Sequence, residues 1–253
     1  MHDIHKKYSG MELLKEAFPE PGSAEPRIPE GSNGVRPVDD EYWDRQVSDE
    51  EVEPSEWIDE KVAEEGIELL AWYSPYRYYG DKNWGIYFDE RKMNGYASGI
   101  YRQVKKIRPS AKYSEVRRLV WKAVQRHEYE HCVQELVLAT SVAQFGSLIQ
   151  PDLDFAPFAK DLEAIATHQM ILDPRVKGVS NTQILNLTMF IIGQTPMPAG
   201  YSDWNRVDIE ALERNFTIYV DRYLPKNLLN NLRGKLLSTR GTIWLDVPRY
   251  RVF

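Results

Sequence analysis

Five consecutive residues, from His127 to His131, read His-Glu-Tyr-Glu-His and carry the strongest chemical signal of the chain. On a helix, residues four apart lie on the same face, so His127 and His131 can bind one metal ion from successive turns. Glu128 lies beside them, where its carboxylate can take a proton from a water that the metal activates. The spacing therefore indicates metal-assisted hydrolysis, with Zn²⁺ as the metal and Glu128 as the general base.

The residues around this motif favour a helix from Ser114 to about Phe145. Ser114 suits the N-cap position, and Gly146 suits the end of the helix. The two histidines continue an apolar stripe with helical spacing, which is formed by Val116, Leu119, Val120, Ala123 and Val124. The alternative is a solvated helix face that carries two histidines by chance, but the stripe predicts that both histidines point inward.

A catalytic zinc site needs a third protein ligand and an open fourth position. A second helix is predicted over Pro157–Met170, with Glu163 near its middle and 32 positions after His131. This spacing resembles that of the glutamate zincins (gluzincins), in which a glutamate on a following helix completes the site. Asp161 and His168 are alternatives for the third ligand. His168 is also a candidate for stabilising the developing oxyanion, or for an ordinary core or surface histidine.

The chain also resembles an uncharacterised bacterial group classed with zincin-type metallopeptidases. The resemblance covers roughly Ile67 to Phe253 and rests on the motif helix with Glu135, on Leu162–Ala166 and on Pro198–Tyr201. It implies a zincin-like α+β fold, in which a small N-terminal sheet packs on the motif helix and a mainly helical C-terminal part follows. It also implies a zinc metallopeptidase, with Tyr201 a candidate for a group beside the ligands or the transition state. The resemblance identifies no particular substrate, and a protein or peptide is the expected one.

Three further features of the motif helix have alternative interpretations. Glu135 lies one turn after His131 and either orients that imidazole through its other nitrogen or forms a surface contact. Cys132 is expected to point away from the metal and to pack as a small buried hydrophobe. Glu128 and His131 also match half of a di-iron carboxylate site, but the chain contains no second Glu-x-x-His pair, which disfavours that site.

The composition fits one catalytic domain with an appendage, because 253 residues with 42% hydrophobic side chains can bury one sizeable core. The single cysteine cannot form an intrachain disulfide, so an oxidising compartment is not implied. The N-terminus has no signal-peptide core, and the apolar run Ile184–Ile192 is too short to span a membrane. A cytoplasmic protein without a membrane partner is therefore expected.

Charge divides the chain at residue 66. Residues 1–66 contain 19 acidic and 7 basic side chains with six prolines, which predicts an extended, acidic arm. Residues 67–253 contain 19 acidic and 25 basic side chains and form the predicted catalytic domain. The arm is expected either to dock on this domain or a partner protein, limiting access to the site, or to act as a solubilising tail. Nucleic acid is not an expected partner, because the basic excess is mild and no recognition motif accompanies it.

The remaining segments suit the sheet and helices of such a domain. Strands are predicted over Ile67–Tyr73 and Trp84–Phe88, and edge strands of similar sheets bind extended peptides. Later segments are predicted as three helices and a strand: Asn181–Ile192, Asp208–Tyr223, Lys226–Leu236 and Thr242–Val247. Two functions follow, a zinc metallopeptidase or a non-proteolytic interaction protein, toxin- or defence-associated, on a zincin scaffold. Metal content and proteolysis with and without chelator separate them.

Overall fold

A three-stranded antiparallel sheet, two long helices and several shorter helices make up the described part of the chain. The computed structural model describes residues 10–23, 32–35, 56–145, 159–172 and 182–204. Its regular elements, in chain order, are α1 (Gly10–Ala17), β1 (Asn33–Val35), α2 (Glu56–Glu65), β2 (Ala71–Ser74), α3 (Tyr76–Asn83), β3 (Gly85–Phe88), α4 (Glu90–Ile107), α5 (Tyr113–Phe145), α6 (Ala159–Leu172) and α7 (Thr182–Gln194). The fold is therefore α+β, as predicted, with a helical part after the sheet.

The motif helix α5 begins at Tyr113, one residue before the predicted N-cap, and extends to Phe145. The predicted apolar stripe is confirmed, because all five of its members are buried in the main core. This half of α5 packs against α4, while β2, α6 and α7 also contact the helix. His127 follows the stripe and is completely buried, so the helix delivers the motif to the interior of the fold.

The sheet has the strand order β1-β3-β2, which places β2 at one edge of the described sheet. The predicted strand at Trp84–Phe88 is confirmed as β3, which begins one residue later, at Gly85, and ends at Phe88. The other predicted strand is shorter than expected, because Ile67–Leu69 forms a 3-10 turn and β2 begins only at Ala71. Gly66 precedes this turn with φ of 82°, a left-handed conformation that interrupts the extended chain.

Parts of residues 1–66 contact the rest of the chain. Leu14, Ala17 and Phe18 of α1 form a second apolar cluster with Cys132 and with other side chains of α5. Strand β1 pairs with β3, and α2 packs against α4. Cys132 is buried, as expected of a small hydrophobe. The domain boundary at residue 66 and the role of the whole segment stay predictions, but its described elements share their cores with the remainder.

The C-terminal helices also match two of the predicted segments. The helix predicted over 157–170 is α6, and the one predicted over 181–192 is α7, each shifted by about two residues. The helices predicted over 208–223 and 226–236, and the strand predicted over 242–247, lie outside the described residues. Within the described ranges, no helix combines the length and the apolar character needed to cross a membrane.

Replacing Leu14 by alanine tests whether α1 contributes to stability. Leu14 is completely buried against α5, so Leu14→Ala is expected to lower the free energy of unfolding by about 2–5 kcal/mol. The matched control is Leu172→Ala, because Leu172 is 61% exposed at the end of α6 and its loss should cost under about 1 kcal/mol. Denaturant titration measures both values, and equal small losses would show that α1 is dispensable.

Candidate metal centre

Three side chains from two helices converge at one point of the fold. The Nε2 atoms of His127 and His131 lie 3.2 Å apart, and Oε2 of Glu163 lies 3.1 Å from the first and 3.5 Å from the second. His127 is completely buried, whereas the His131 and Glu163 side chains are each 18% exposed. The three residues predicted as ligands therefore form a compact group that could hold a metal ion.

The size of this triangle matches one face of a coordination tetrahedron. Zinc binds imidazole nitrogen and carboxylate oxygen at about 2.0–2.2 Å, which places adjacent tetrahedral ligand atoms roughly 3.3–3.6 Å apart. The observed edges of 3.1, 3.2 and 3.5 Å are close to that spacing. An ion at the centre would hold these three atoms on one side and leave its fourth position open.

Gln134 orients the His131 imidazole. Its amide nitrogen donates to the backbone oxygen of Leu162 at 3.2 Å, so its amide oxygen faces Nδ1 of His131 at 3.0 Å. That oxygen can only accept, and Nδ1 must therefore carry the proton in the neutral ring. The lone pair of the ring is then on Nε2, the atom that faces Glu163 and His127. Gln134 thus sets the tautomer that a metal ligand requires and also links α5 to α6.

His127 has neighbours on its other nitrogen and on its face. The hydroxyl of Thr167, one turn after Glu163 on α6, lies 3.4 Å from Nδ1 of His127. The ring of Tyr201 stacks on the imidazole, with centroids 5.6 Å apart and planes inclined by 18°. The phenol of Tyr201 also hydrogen-bonds the Glu163 carboxylate. Tyr201 is therefore placed to position two of the three candidate ligands.

Two glycines make room for Tyr201 and for α6. A Cβ atom on Gly66 would lie 2.5 Å from the Tyr201 ring, and Gly66 has a positive φ of 82°. Gly200 has φ of 104°, and a Cβ there would approach the backbone oxygen of Lys160 at 3.2 Å. Both turns favour glycine because other residues rarely adopt these angles, and at Gly66 a side chain would also collide with the Tyr201 ring. The two glycines therefore allow the loops before β2 and before Tyr201 to pack against the site.

The electrostatics of the group favour a positive charge on His131 and a negative charge on Glu163. Burial alone lowers the pKa of His131, but the carboxylates of Glu163 and Glu128 outweigh it and raise the pKa to about 10. Burial raises the pKa of Glu163, yet the two histidines hold it well below its usual range. Burial lowers the pKa of His127. A metal ion must compete with the proton on His131, so its affinity is expected to weaken as the pH falls.

Glu128 lies in the same cleft as His131 and Glu163. Its side chain is 1% exposed, and one carboxylate oxygen accepts the backbone N–H of Tyr73 in β2. The other oxygen, Oε1, is buried without a hydrogen-bond partner among the described residues. Burial raises the pKa of Glu128 well above its ordinary value, and the nearby Glu163 and Glu68 carboxylates add to the rise, although His131 opposes it. Oε1 is thus a basic oxygen that has no hydrogen-bond partner among the described residues.

The cleft has a volume of about 220 Å³ and lies between β2, the start of α3, α5 and α6. One part of its lining is apolar, with side chains of Trp72, Pro75, Leu138 and Leu162. Four carboxylates also line it, from Glu68, Glu128, Glu135 and Glu163. The cleft therefore offers a ligand both an apolar surface and several carboxylates.

The Glu135 carboxylate binds donors of β2 and α3 rather than the His131 imidazole. Its carboxylate accepts from the Tyr73 hydroxyl and from the backbone nitrogens of Tyr76 and Arg77, at 3.0 and 2.9 Å for the latter two. It therefore ties α5 to the junction of β2 and α3. Residues three and four positions after His131 both lie near its face of the helix, and Gln134 contacts its Nδ1.

The alternative third ligands, His168 and Asp161, lie outside the candidate metal group. His168 is 3.0 Å from the backbone oxygen of Trp204 through Nδ1, and it lies on α6 well around the helix from Glu163. Asp161 is likewise not a member of the group that the described residues form. The geometry favours Glu163 over both, while the ligand and catalytic roles of these residues stay predictions.

Metal binding is expected to stabilise the fold, because the ion would join α5 to α6. Zn²⁺ at about 100 times its dissociation constant should contribute about 2.7 kcal/mol, or roughly 5–10 °C in Tm. Calorimetry of the full chain with Zn²⁺ and with chelator measures this shift. His131→Ala should remove it, and an equal shift in that variant would show that the ion binds elsewhere.

Gln134→Leu is expected to weaken Zn²⁺ binding by roughly 10- to 100-fold, because the His131 ring loses the acceptor that fixes its tautomer. The matched control is Gln103→Leu, since Gln103 is exposed on α4, away from the site. Competition with a fluorescent chelator measures both affinities. If the Gln134 variant binds as tightly as the control, another group orients His131.

The convergence of His127, His131 and Glu163 supports the candidate site. Comparisons with models of known protein families, with curated proteins and with solved structures gave no match. What stands is an α+β fold with a His-His-Glu group on two adjacent helices that could hold a metal ion.

Proposed function

We propose that this protein is a zinc-dependent peptide hydrolase of the gluzincin type. The observation that carries the proposal is Oε1 of Glu128, a buried acceptor without a partner in the described structure, which shares a cleft with the candidate ligands. A metal site with a purely structural role has no need of such a carboxylate beside it. A hydrolytic site needs one, because water must lose a proton as it attacks.

The ligand set supports zinc as the metal. Two imidazole nitrogens and one carboxylate oxygen are a known combination in catalytic zinc sites that keep one position open. The triangle has edges near those of a tetrahedron, which is the geometry that zinc prefers. Bound there by His127, His131 and Glu163, zinc would polarise the scissile carbonyl and make the attacking water more acidic.

Glu128 would move the proton during hydrolysis. As the oxygen of water forms a bond to the carbonyl carbon, Oε1 takes the proton that this water loses. When the bond between that carbon and the amide nitrogen breaks, Glu128 gives the proton to the leaving nitrogen. The Tyr73 backbone N–H beside the Glu128 carboxyl would help to hold the orientation of that carboxyl.

The position of β2 supports an extended peptide as the substrate. This strand is at one edge of the described sheet, and its Trp72 and Tyr73 line the cleft. Peptides commonly bind such an edge as an added strand. Tyr73 is anchored on both sides, since its hydroxyl donates to Glu135 and accepts from the indole nitrogen of Trp84 at 2.7 Å. The strand would therefore present a rigid surface to the substrate.

Glu128→Gln tests the proposal directly. The variant should still bind Zn²⁺, because Glu128 is not a ligand, but peptide cleavage should fall by roughly 10²- to 10⁴-fold. Metal content is measured by elemental analysis, and cleavage by mass spectrometry of a peptide library. Glu115→Gln, in the first turn of the same helix and outside the cleft, is the matched control.

Other results would contradict parts of this function. Loss of zinc in the Glu128 variant would make Glu128 a ligand, and retained cleavage would remove it from the reaction. A wild-type chain that binds zinc and cleaves no peptide would instead support the alternative, an interaction protein on a zincin scaffold.

A further inference from the structure

Glu68 differs from the other carboxylates of the cleft in having no hydrogen bond or ion pair within the described structure. It belongs to the 3-10 turn before β2 and is exposed, at the mouth of the cleft. The flanking residues Ile67 and Leu69 are buried, so the turn is anchored and its central side chain points outward. Sequence patterns gave no signal for Glu68, because it lies far along the chain from the metal motif.

The other three carboxylates have identifiable roles. Glu163 contacts both histidines, and Glu135 accepts three hydrogen bonds at the junction of β2 and α3. Glu128 accepts the Tyr73 N–H and keeps one buried oxygen available to a ligand. This unpartnered oxygen is independent evidence that a ligand enters the cleft. Glu68 remains as the carboxylate at the entrance without an assigned protein partner.

The surroundings of Glu68 favour a cation. Partial burial and the negative charge of Glu163 both raise the pKa of Glu68, while His131 lowers it, so repulsion from Glu163 is only partly offset by the imidazole. Glu128 is near enough for Glu68 to raise its pKa as well. A positive group at the mouth would relieve this repulsion. The apolar lining of Trp72 and Leu162 suits the methylene stem of a lysine or arginine side chain, whose charged end then reaches a carboxylate.

We propose that Glu68 is a specificity-determining residue that binds a positively charged nitrogen of the substrate. The hydrolase would then prefer peptides with a cationic group close to the scissile bond, an inference that rests on the proposed function. The nitrogen belongs either to a free N-terminal amine or to a lysine or arginine side chain. Both present the same chemistry to Glu68, and matched peptides distinguish them.

Peptide binding to the zinc-loaded Glu128→Gln full chain tests the inference without any need for cleavage. The probes are four peptides of equal length: a neutral peptide blocked at both ends, the same peptide with a free N-terminal amine, a blocked peptide with a central lysine, and a blocked peptide with a central glutamate. Titration calorimetry gives the four affinities. At least one of the two cationic peptides should bind more tightly than the neutral peptide, and the glutamate peptide should bind most weakly.

Adding Glu68→Gln should then reduce the affinity for the preferred cationic peptide by roughly 5- to 10-fold, the range expected between an exposed ion pair and a hydrogen-bonded one. Affinity for the neutral peptide should stay the same. Glu65→Gln is the matched control, because Glu65 is exposed at the end of α2, outside the cleft, and its loss changes the net charge equally. Glu68→Lys should reverse the preference, towards the glutamate peptide.

Three results would overturn the inference. The first is equal weakening by Glu68→Gln and Glu65→Gln, which would show a long-range charge effect. The second is equal affinity of the Glu128→Gln chain, with Glu68 intact, for neutral and cationic peptides. The third is a second equivalent of Zn²⁺ that disappears in Glu68→Gln, because Glu68 would then be a metal ligand.

The binding experiment also separates this inference from the proposed function. If the wild-type chain cleaves no peptide but Glu68 still confers preference for cationic peptides, peptide hydrolysis fails and the binding role of Glu68 holds. If cleavage depends on Glu128 but Glu68→Gln has no effect on any probe, hydrolysis holds and the inference about Glu68 fails. In wild-type protein, kcat/KM for the same peptides should follow the order of their affinities.

Discussion

The structure around the site depends on the complete burial of the His127 imidazole. A buried polar ring needs partners for both nitrogens, since an unsatisfied one costs about 1–3 kcal/mol. Here Glu163 and His131 face Nε2, Thr167 lies near Nδ1, and Tyr201 covers the ring face. Glu163 and Thr167 are one turn apart on α6. Because both must stay near the nitrogens of the His127 ring, α6 has little freedom to rotate or slide against α5.

The four glutamates of the cleft share a chemical type but differ in surroundings, and those surroundings separate their roles. Glu163 contacts two histidine rings, while Glu135 is surrounded by donors and serves the fold. Glu128 is buried with only one oxygen satisfied, and Glu68 is exposed without an assigned partner. The roles proposed for these glutamates therefore differ with the burial of each side chain and with the donors it meets.

Much of the site could be predicted from sequence because it is encoded on two amphipathic helices. The apolar stripe of α5 indicated the direction of His127, and the spacing to the next helix indicated Glu163. Gln134 was not anticipated, because positions three and four residues beyond His131 are both near its ring, and helical geometry alone does not choose between them. The contacts of Thr167 and Glu68 depend on how distant segments meet, which local patterns do not encode.

The same limit applies to residues 1–66. Their acidic, proline-rich composition indicated an appendage, yet composition averages over positions and hides the few apolar residues that matter. Leu14 of α1 and the paired strand β1 join the body through contacts with residues far along the chain. A net charge is a property of the whole segment, whereas packing is decided by individual side chains.

The positive φ angles of Gly66 and Gly200 restrict which substitutions the sequence of such a protein can accept. Neither Gly66 nor Gly200 contributes a functional group, yet each has a positive φ that other residues rarely adopt, and Gly66 also leaves room for the Tyr201 ring. Selection for the function of the site would therefore also act on these two glycines, although neither takes part in its chemistry. Among descendants of this chain, these glycines should vary as little as the histidines, and lineages that lose the candidate ligands should be free to lose the glycines next.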